Sequence, residues 1–295
     1  MGKINKPFAR LLRVSTTRID GGALFGSTVK ERWERFVSPD RQNRVAIGNY
    51  SMLVDHPDGW VLVNAGPGDK APLSLDIAPM RSRSSLLREL RELALMPKDI
   101  SVVIYTHLHD EHVGGGTHMT SSGRVLPTFP NARYVVQREA VEEALNPNER
   151  ATIYYRKDDL VPLQDSGQLE VFESRSEILS GIWIEPAPGP TGGHQIVTAN
   201  DGVTEYAFLG QLAPTSMHLS SEVVPASDVN PEASARTKLE VRKQAVKEKW
   251  KVAPVGRDEW VNAEDLEALE TFSLGAMQLP KRKSAASRET LPVAV

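Results

Sequence analysis

Two apolar runs, residues 50–54 and 60–63, flank His56-Pro57-Asp58-Gly59, and this run–turn–run pattern predicts a β-hairpin. The chain then breaks at Ala65-Gly66-Pro67-Gly68-Asp69, residues suited to tight backbone geometry. After Ser84 and Ser85, either able to cap a helix, Leu86, Leu90 and Leu93 recur at helical spacing with charges opposite them. That spacing predicts an amphipathic helix stopped at Pro97-Lys98-Asp99. Residues 100–105 follow as a β-branched, buried strand.

Beyond it the pattern alternates. Strands are expected over 132–136, 169–172, 182–185, 206–209 and 252–255, a short helix over 139–145, and a charged helix over 234–249. Such alternation fits a mixed α/β layered fold. No repeat of solenoid length is present. Residues 281–295 lack an apolar period and carry Lys281, Arg282, Lys283 and Arg288 against Glu289, which reads as a flexible basic tail.

Composition narrows the function classes. At 295 residues, with 40% hydrophobic and 25% charged residues, the chain reads as a folded soluble protein. A formal net charge of −3 argues against nucleic acid as the main partner and favours a small-molecule ligand or substrate. Absence of cysteine excludes disulfides, thiolate ligands and a cysteine nucleophile, so any metal must be held by His, Asp or Glu. The first 14 residues lack the apolar segment of a secretory signal, and no stretch is long enough to span a bilayer, so a cytoplasmic location is expected.

The chemistry concentrates in Thr106-His107-Leu108-His109-Asp110-Glu111-His112-Val113-Gly114-Gly115. His107 and His109, two apart, leave one face of an extended strand end and can close on one ion. His112, after a turn, can face a neighbouring ion. Imidazoles suit Zn²⁺ or Fe²⁺, and a nearby carboxylate can ligate or take a proton from bound water.

Thr-His-x-His-x-x-His-x-Gly-Gly after an apolar strand resembles the signature of the metallo-β-lactamase superfamily, with Glu111 where Asp is usual. The segments 20–26, 126–132 and 214–218 resemble, in order, parts of its quorum-quenching lactonase branch. The resemblance implies an αββα sandwich of two βαβ-like halves, with metals at one edge between the sheets. It divides the chain into an N-terminal extension over 1–17, a domain over 18–280 and the tail over 281–295. It also implies a metal pair sharing a hydroxide that attacks an ester, lactone, amide or phosphoester.

Carried over by position, the resemblance assigns His107 and His109 to the first metal, and His112 with Glu111 to the second. Glu111 or Asp110 would accept the proton. The other ligand positions depart from the family. Pro190 stands where a histidine is expected, Gln211 where a bridging carboxylate is expected, and Arg257 near where the last histidine would fall. Asn64 replaces an acidic residue that supports the site. His194 and His218 are the candidate replacement ligands or pocket residues, and Phe25, Trp33 and Met217 are candidates for pocket lining or core.

Two readings stay open. One is an altered hydrolase-type enzyme holding one Zn or Fe ion and acting on a small ester or lactone. The other is a metal-free pseudoenzyme that binds a small molecule or protein, in which Arg257 could supply a fixed positive charge. A conventional dinuclear lactonase is not expected.

Overall fold

The computed structural model describes residues 8–70, 81–253, 258–262 and 265. The first half of the chain supplies β1 (Ala9–Asp20), β2 (Arg44–His56), β3 (Gly59–Val63), β4 (Ile100–Ile104), β5 (Thr117–Met119), β6 (Val125–Pro127), β7 (Arg133–Gln137) and β8 (Leu169–Phe172). Of these, β1-β2-β3-β4-β7-β8 form one sheet, and β5 and β6 pair separately. The second half supplies β9 (Ser176–Leu179), β10 (Ile182–Pro186), β11 (Gln195–Asn200), β12 (Glu205–Phe208), β13 (Lys251–Ala253) and β14 (Val261–Asn262). These form the second sheet in the order β14-β13-β12-β11-β10-β9.

The strand period of two explains why the central runs are apolar throughout. In β3, Val61 and Val63 enter the layer between the sheets, while Leu62 faces the other way. In β4, Val102 and Ile104 do the same, with Val103 on the opposite face. Ile182, Ile184, Val197 and Phe208 meet them from the second sheet. Strands covered on both faces need no polar alternation.

Helices close the outer faces. On the first sheet lie α3 (Leu86–Glu92), burying Leu86 and Leu90, and α5 (Arg138–Leu145), burying Ala140 and Ala144. Val241 and Ala245 of α7 (Pro231–Glu248) pack with Trp250 and Val252 over the second sheet. The layers are therefore helix, sheet, sheet, helix, as the sequence implied. Short helices α1 (Gly21–Phe25), α2 (Lys30–Trp33), α4 (Asp110–Val113) and α6 (Val161–Asp165) sit in the connections.

Some expectations need correction. The boundary expected after residue 17 falls inside β1, whose residues from Ala9 onward pair antiparallel with β2. Residues 9–17 are thus part of the sheet; their Ser, Thr and Arg positions hid an edge strand. Helix α7 begins at Pro231 rather than at residue 234, because the Asn230 side chain accepts from the Ala233 N–H and Pro231 occupies the first turn. Ser85 does precede α3, yet its hydroxyl donates to the carbonyls of Arg13 and Val14 instead of capping. Among the described residues, no helix is long and apolar enough to cross a membrane. The 281–295 tail and Arg257 lie outside the described residues.

Candidate histidine-centred site

Strand β4 ends at Ile104, and its continuation through Tyr105 and Thr106 delivers His107 to the end of the inter-sheet layer. Beyond His107 the chain is held by a close backbone approach. The Ala65 N–H donates to the His112 carbonyl at 2.7 Å, and the Gly115 N–H to Gly66 O at 2.9 Å. A side chain on Gly114 or Gly115 would run into the backbone of Pro67 or Ala65, so the glycine pair lets these two turns touch. This contact orients α4 and its His112.

Asn64 sits in the left-handed region at φ 60, which asparagine tolerates. Its Oδ1 accepts from the Thr106 N–H at 3.0 Å, and its Nδ2 donates to Thr106 Oγ1 at 3.1 Å and lies 3.4 Å from His112 Nδ1. Asn64 therefore serves both the turn and the site.

From the second sheet, Gly210 (φ 57) brings Gln211 against the histidines. A Cβ there would lie 2.7 Å from Thr106 Oγ1 and 2.9 Å from His194 Nε2. Gln211 Oε1 stands 2.7 Å from His107 Nε2 and 3.1 Å from His109 Nδ1. An amide oxygen can only accept, so these two hydrogen bonds form in the tautomers that place a proton on each nitrogen facing it. The other ring nitrogen of His107 then accepts from Thr106 Oγ1, 3.0 Å away. His194 closes the network: its Nε2 accepts from the Gln211 N–H at 3.2 Å, and its Nδ1 donates to Ala187 O at 3.1 Å.

These rings are buried and neutral. Burial, followed by repulsion from His112 and the other rings, pushes His107 well below the usual histidine range. Burial likewise brings His109 down to about 4 and His194 to about 3. His109 also stacks on Tyr154 with ring centres 4.7 Å apart, and Tyr155 meets it edge-on.

The two carboxylates are not free acceptors. Arg81 grips Asp110 with two nitrogens, at 2.9 and 3.3 Å, and its second terminal nitrogen lies 3.6 Å from Glu111. Glu111 is also 3.5 Å from His112 Nε2. Burial alone would raise the Glu111 carboxyl, but His112, Arg81 and His109 more than offset it and bring it to about 2. Arg81 carried no sequence signal: Arg81-Ser82-Arg83 matches no motif, and the Thr17–Arg81 bridge with the Thr16–Ser82 hydrogen bonds carries it to the site from β1.

Other candidates fall elsewhere. His218 is a core residue: Thr215 bonds one ring nitrogen at 2.8 Å, the other donates to Leu24 O at 2.8 Å, and the ring stacks on Phe25. Phe25 and Trp33 are buried against each other with Leu24, Val45 and Val223, and Met217 packs on that cluster, so the core reading holds for all three. Pro190 is buried and its carbonyl accepts from the Val229 N–H. Beside the histidines opens a cavity of about 590 Å³, with Leu24, Ile47, Tyr50, Ile153, Tyr154 and Phe208 on its walls. His109, Glu111, His112, Arg81 and Gln211 also line it.

Residues 45–257 match the profile of the family described as the Metallo-beta-lactamase superfamily. The chain belongs to the metallo-β-lactamase superfamily. An N-acyl homoserine lactonase of Bacillus thuringiensis is 24% identical over 220 residues, covering 71% of this chain and 80% of that protein. A solved "probable metal-dependent hydrolase" from Staphylococcus aureus superposes with a TM-score of 0.76 at 26% identity, covering 83% of this chain and 87% of that one. A quorum-quenching N-acyl homoserine lactone lactonase superposes with a TM-score of 0.65 at 19% identity, covering 86% and 97%. This member is thus related to lactonases by sequence and shares their fold.

The donor set of this superfamily member does not fit the metal pair the fold implies. Pro190 has no donor, and the Gln211 amide is neutral where a bridging carboxylate is expected. The inward-facing nitrogens of His107 and His109 meet the Gln211 amide oxygen at 2.7 and 3.1 Å, and a hydrogen bond there uses an imidazole N–H where a metal would need a lone pair. Among the described residues, no three His, Asp or Glu side chains are grouped to hold an ion. The His107 ring lies 4.7 Å from that of His109 and 4.5 Å from that of His112, centre to centre.

Proposed function

We propose that this metallo-β-lactamase superfamily member binds a small, largely apolar ester- or lactone-like molecule in the cavity beside the histidines, without metal-assisted hydrolysis. One observation carries the reading: the Gln211 oxygen on the cavity wall accepts from both His107 and His109. The cavity volume of about 590 Å³ suits a ligand of drug-like size, and its apolar walls with a polar cluster suit an amphipathic one. The names of the lactonase relatives support a lactone or ester as the polar part.

The competing reading places one Zn or Fe ion on His107, His109, Glu111 and His112, with Glu111 or Asp110 as proton acceptor. The packing of the three rings favours it. It requires His107 and His109 to free the nitrogens that face Gln211 and, where Asp110 is the acceptor, Asp110 to leave Arg81.

A thermal-shift and calorimetric screen of N-acyl lactones and aryl esters in the presence of a chelator separates the two. Binding should persist with chelator, while turnover stays at the rate in buffer. Ile47→Trp, which fills the cavity, should weaken binding at least about tenfold, or roughly 1.4 kcal/mol. Hydrolysis that vanishes with chelator and returns with zinc would instead establish the metalloenzyme.

A further inference from the structure

Two side chains lie against the residues that the resemblance assigns to the metal pair of this fold. Gln211 Oε1 lies within hydrogen-bond distance of both His107 Nε2 and His109 Nδ1. The Arg81 guanidinium lies against both Asp110 and Glu111. We infer that Gln211 and Arg81 are built-in substitutes for the two metal ions, and that together they make the centre complete and resistant to metal uptake. The inference rests on the proposed metal-free reading of the site and goes further by naming the residues that enforce it.

Gln211 acts through proton placement. A metal needs the imidazole lone pairs, whereas an amide oxygen needs imidazole N–H donors. Thr106 supports the second arrangement by offering its hydroxyl to the outer nitrogen of His107, and Asn64 Nδ2 in turn donates to that hydroxyl. His194 holds the Gln211 backbone from behind. Each of these polar groups has a partner, so little is gained by admitting an ion. Displacing the amide would break a satisfied buried network, which is costly to do.

Arg81 acts through charge. Asp110 and Glu111 are adjacent in the chain and both largely withdrawn from solvent, so two negative charges need a nearby cation. A guanidinium always carries that charge and presents a planar fork that suits carboxylates. Its backbone bridges to Thr17 on β1, which fixes its entry to the site. The site's positive charge is thus carried by the chain itself.

Zinc uptake by the full-length protein tests this without relying on activity. Wild type, Gln211→Asp and Gln211→Asp/Arg81→Met would each be dialysed against zinc, freed of excess and assayed for metal, with circular dichroism as the folding check. Wild type should retain well under about one ion per chain, whereas Gln211→Asp should retain about one. Removing Arg81 as well should tighten zinc binding by a further factor of about ten or more. If Gln211→Asp does not fold, Gln211→His supplies a neutral donor at the same place and should give the same gain.

A folded Gln211 variant that still rejects zinc would overturn the role given to Gln211, while leaving metal-free ligand binding intact. A double variant no tighter than Gln211→Asp would overturn the role given to Arg81. Stoichiometric, chelator-resistant zinc in wild type would overturn both this inference and the functional reading beneath it.

Discussion

Lowering the pH from 7 to 5 should cost this protein several kcal/mol of stability, an effect large enough to unfold many domains. Four imidazoles are buried and neutral: burial holds His107 well below the usual range, His109 at about 4, and His194 and His218 at about 3. In the unfolded chain each would take a proton near pH ~6.5. As the pH falls below that value the unfolded state binds protons that the folded state refuses, so stability present above pH ~6.5 is lost toward the folded values. Each excluded proton is worth about 2 kcal/mol between pH 7 and 5.

Asp228 acts in the opposite sense. Burial raises it to about 6, so the folded state gains a proton in the same window and offsets part of one histidine's share. Glu111, held at about 2, adds a further loss only below its ordinary range. Urea unfolding at pH 7 and pH 5 should show the midpoint falling steeply, and His218→Gln should flatten the slope by about one proton. A stability independent of pH across that interval would contradict the neutral, buried network.

The second large effect is expected at Lys70. Its ammonium donates to Gly114 O, to Thr117 O at 2.7 Å and to Thr117 Oγ1 at 2.7 Å, and pairs with Asp159 at 3.1 Å. Burial lowers Lys70 and raises Asp159 despite their attraction, so desolvation outweighs the pairing for both. Lys70→Met would strand Asp159 and two carbonyls inside the protein. The expected loss is about 3–5 kcal/mol, read from denaturant unfolding.

Adding Asp159→Leu should restore much of that loss, because removing both charges of a buried pair costs far less than removing one. The carbonyls of Gly114 and Thr117 would remain without a partner, so recovery should be incomplete. Gly114 directly follows α4, so Lys70→Met should also weaken ligand binding more than its distance from the cavity suggests. A double variant no more stable than Lys70→Met would show that Lys70 acts through the carbonyls alone.

The layered fold was legible because its central strands are apolar on both faces and its helices carry one clean stripe, as in β3, β4 and α3. Strand β1 was not, since Ser15, Thr16, Thr17 and Arg18 lack that pattern and gain their partners from β2 and from residues 81–82. At the site, the histidines and Gln211 were visible because a motif fixes where they fall. Arg81 and Tyr154 were not: they reach the histidines through tertiary packing, which no local spacing records. Nor could the sequence distinguish His194 from His218, two buried histidines of which one completes the Gln211 network and the other braces Leu24.

The most direct test is the position of two protons. A ¹⁵N–¹H spectrum of the histidine side chains, recorded on the full-length wild type at neutral pH with and without excess zinc, reads them individually. Protons should be found on His107 Nε2 and His109 Nδ1, shielded from exchange and unmoved by zinc. Bare nitrogens at those two places, or N–H signals that vanish when zinc is added, would contradict a hydrogen-bonded centre closed by Gln211.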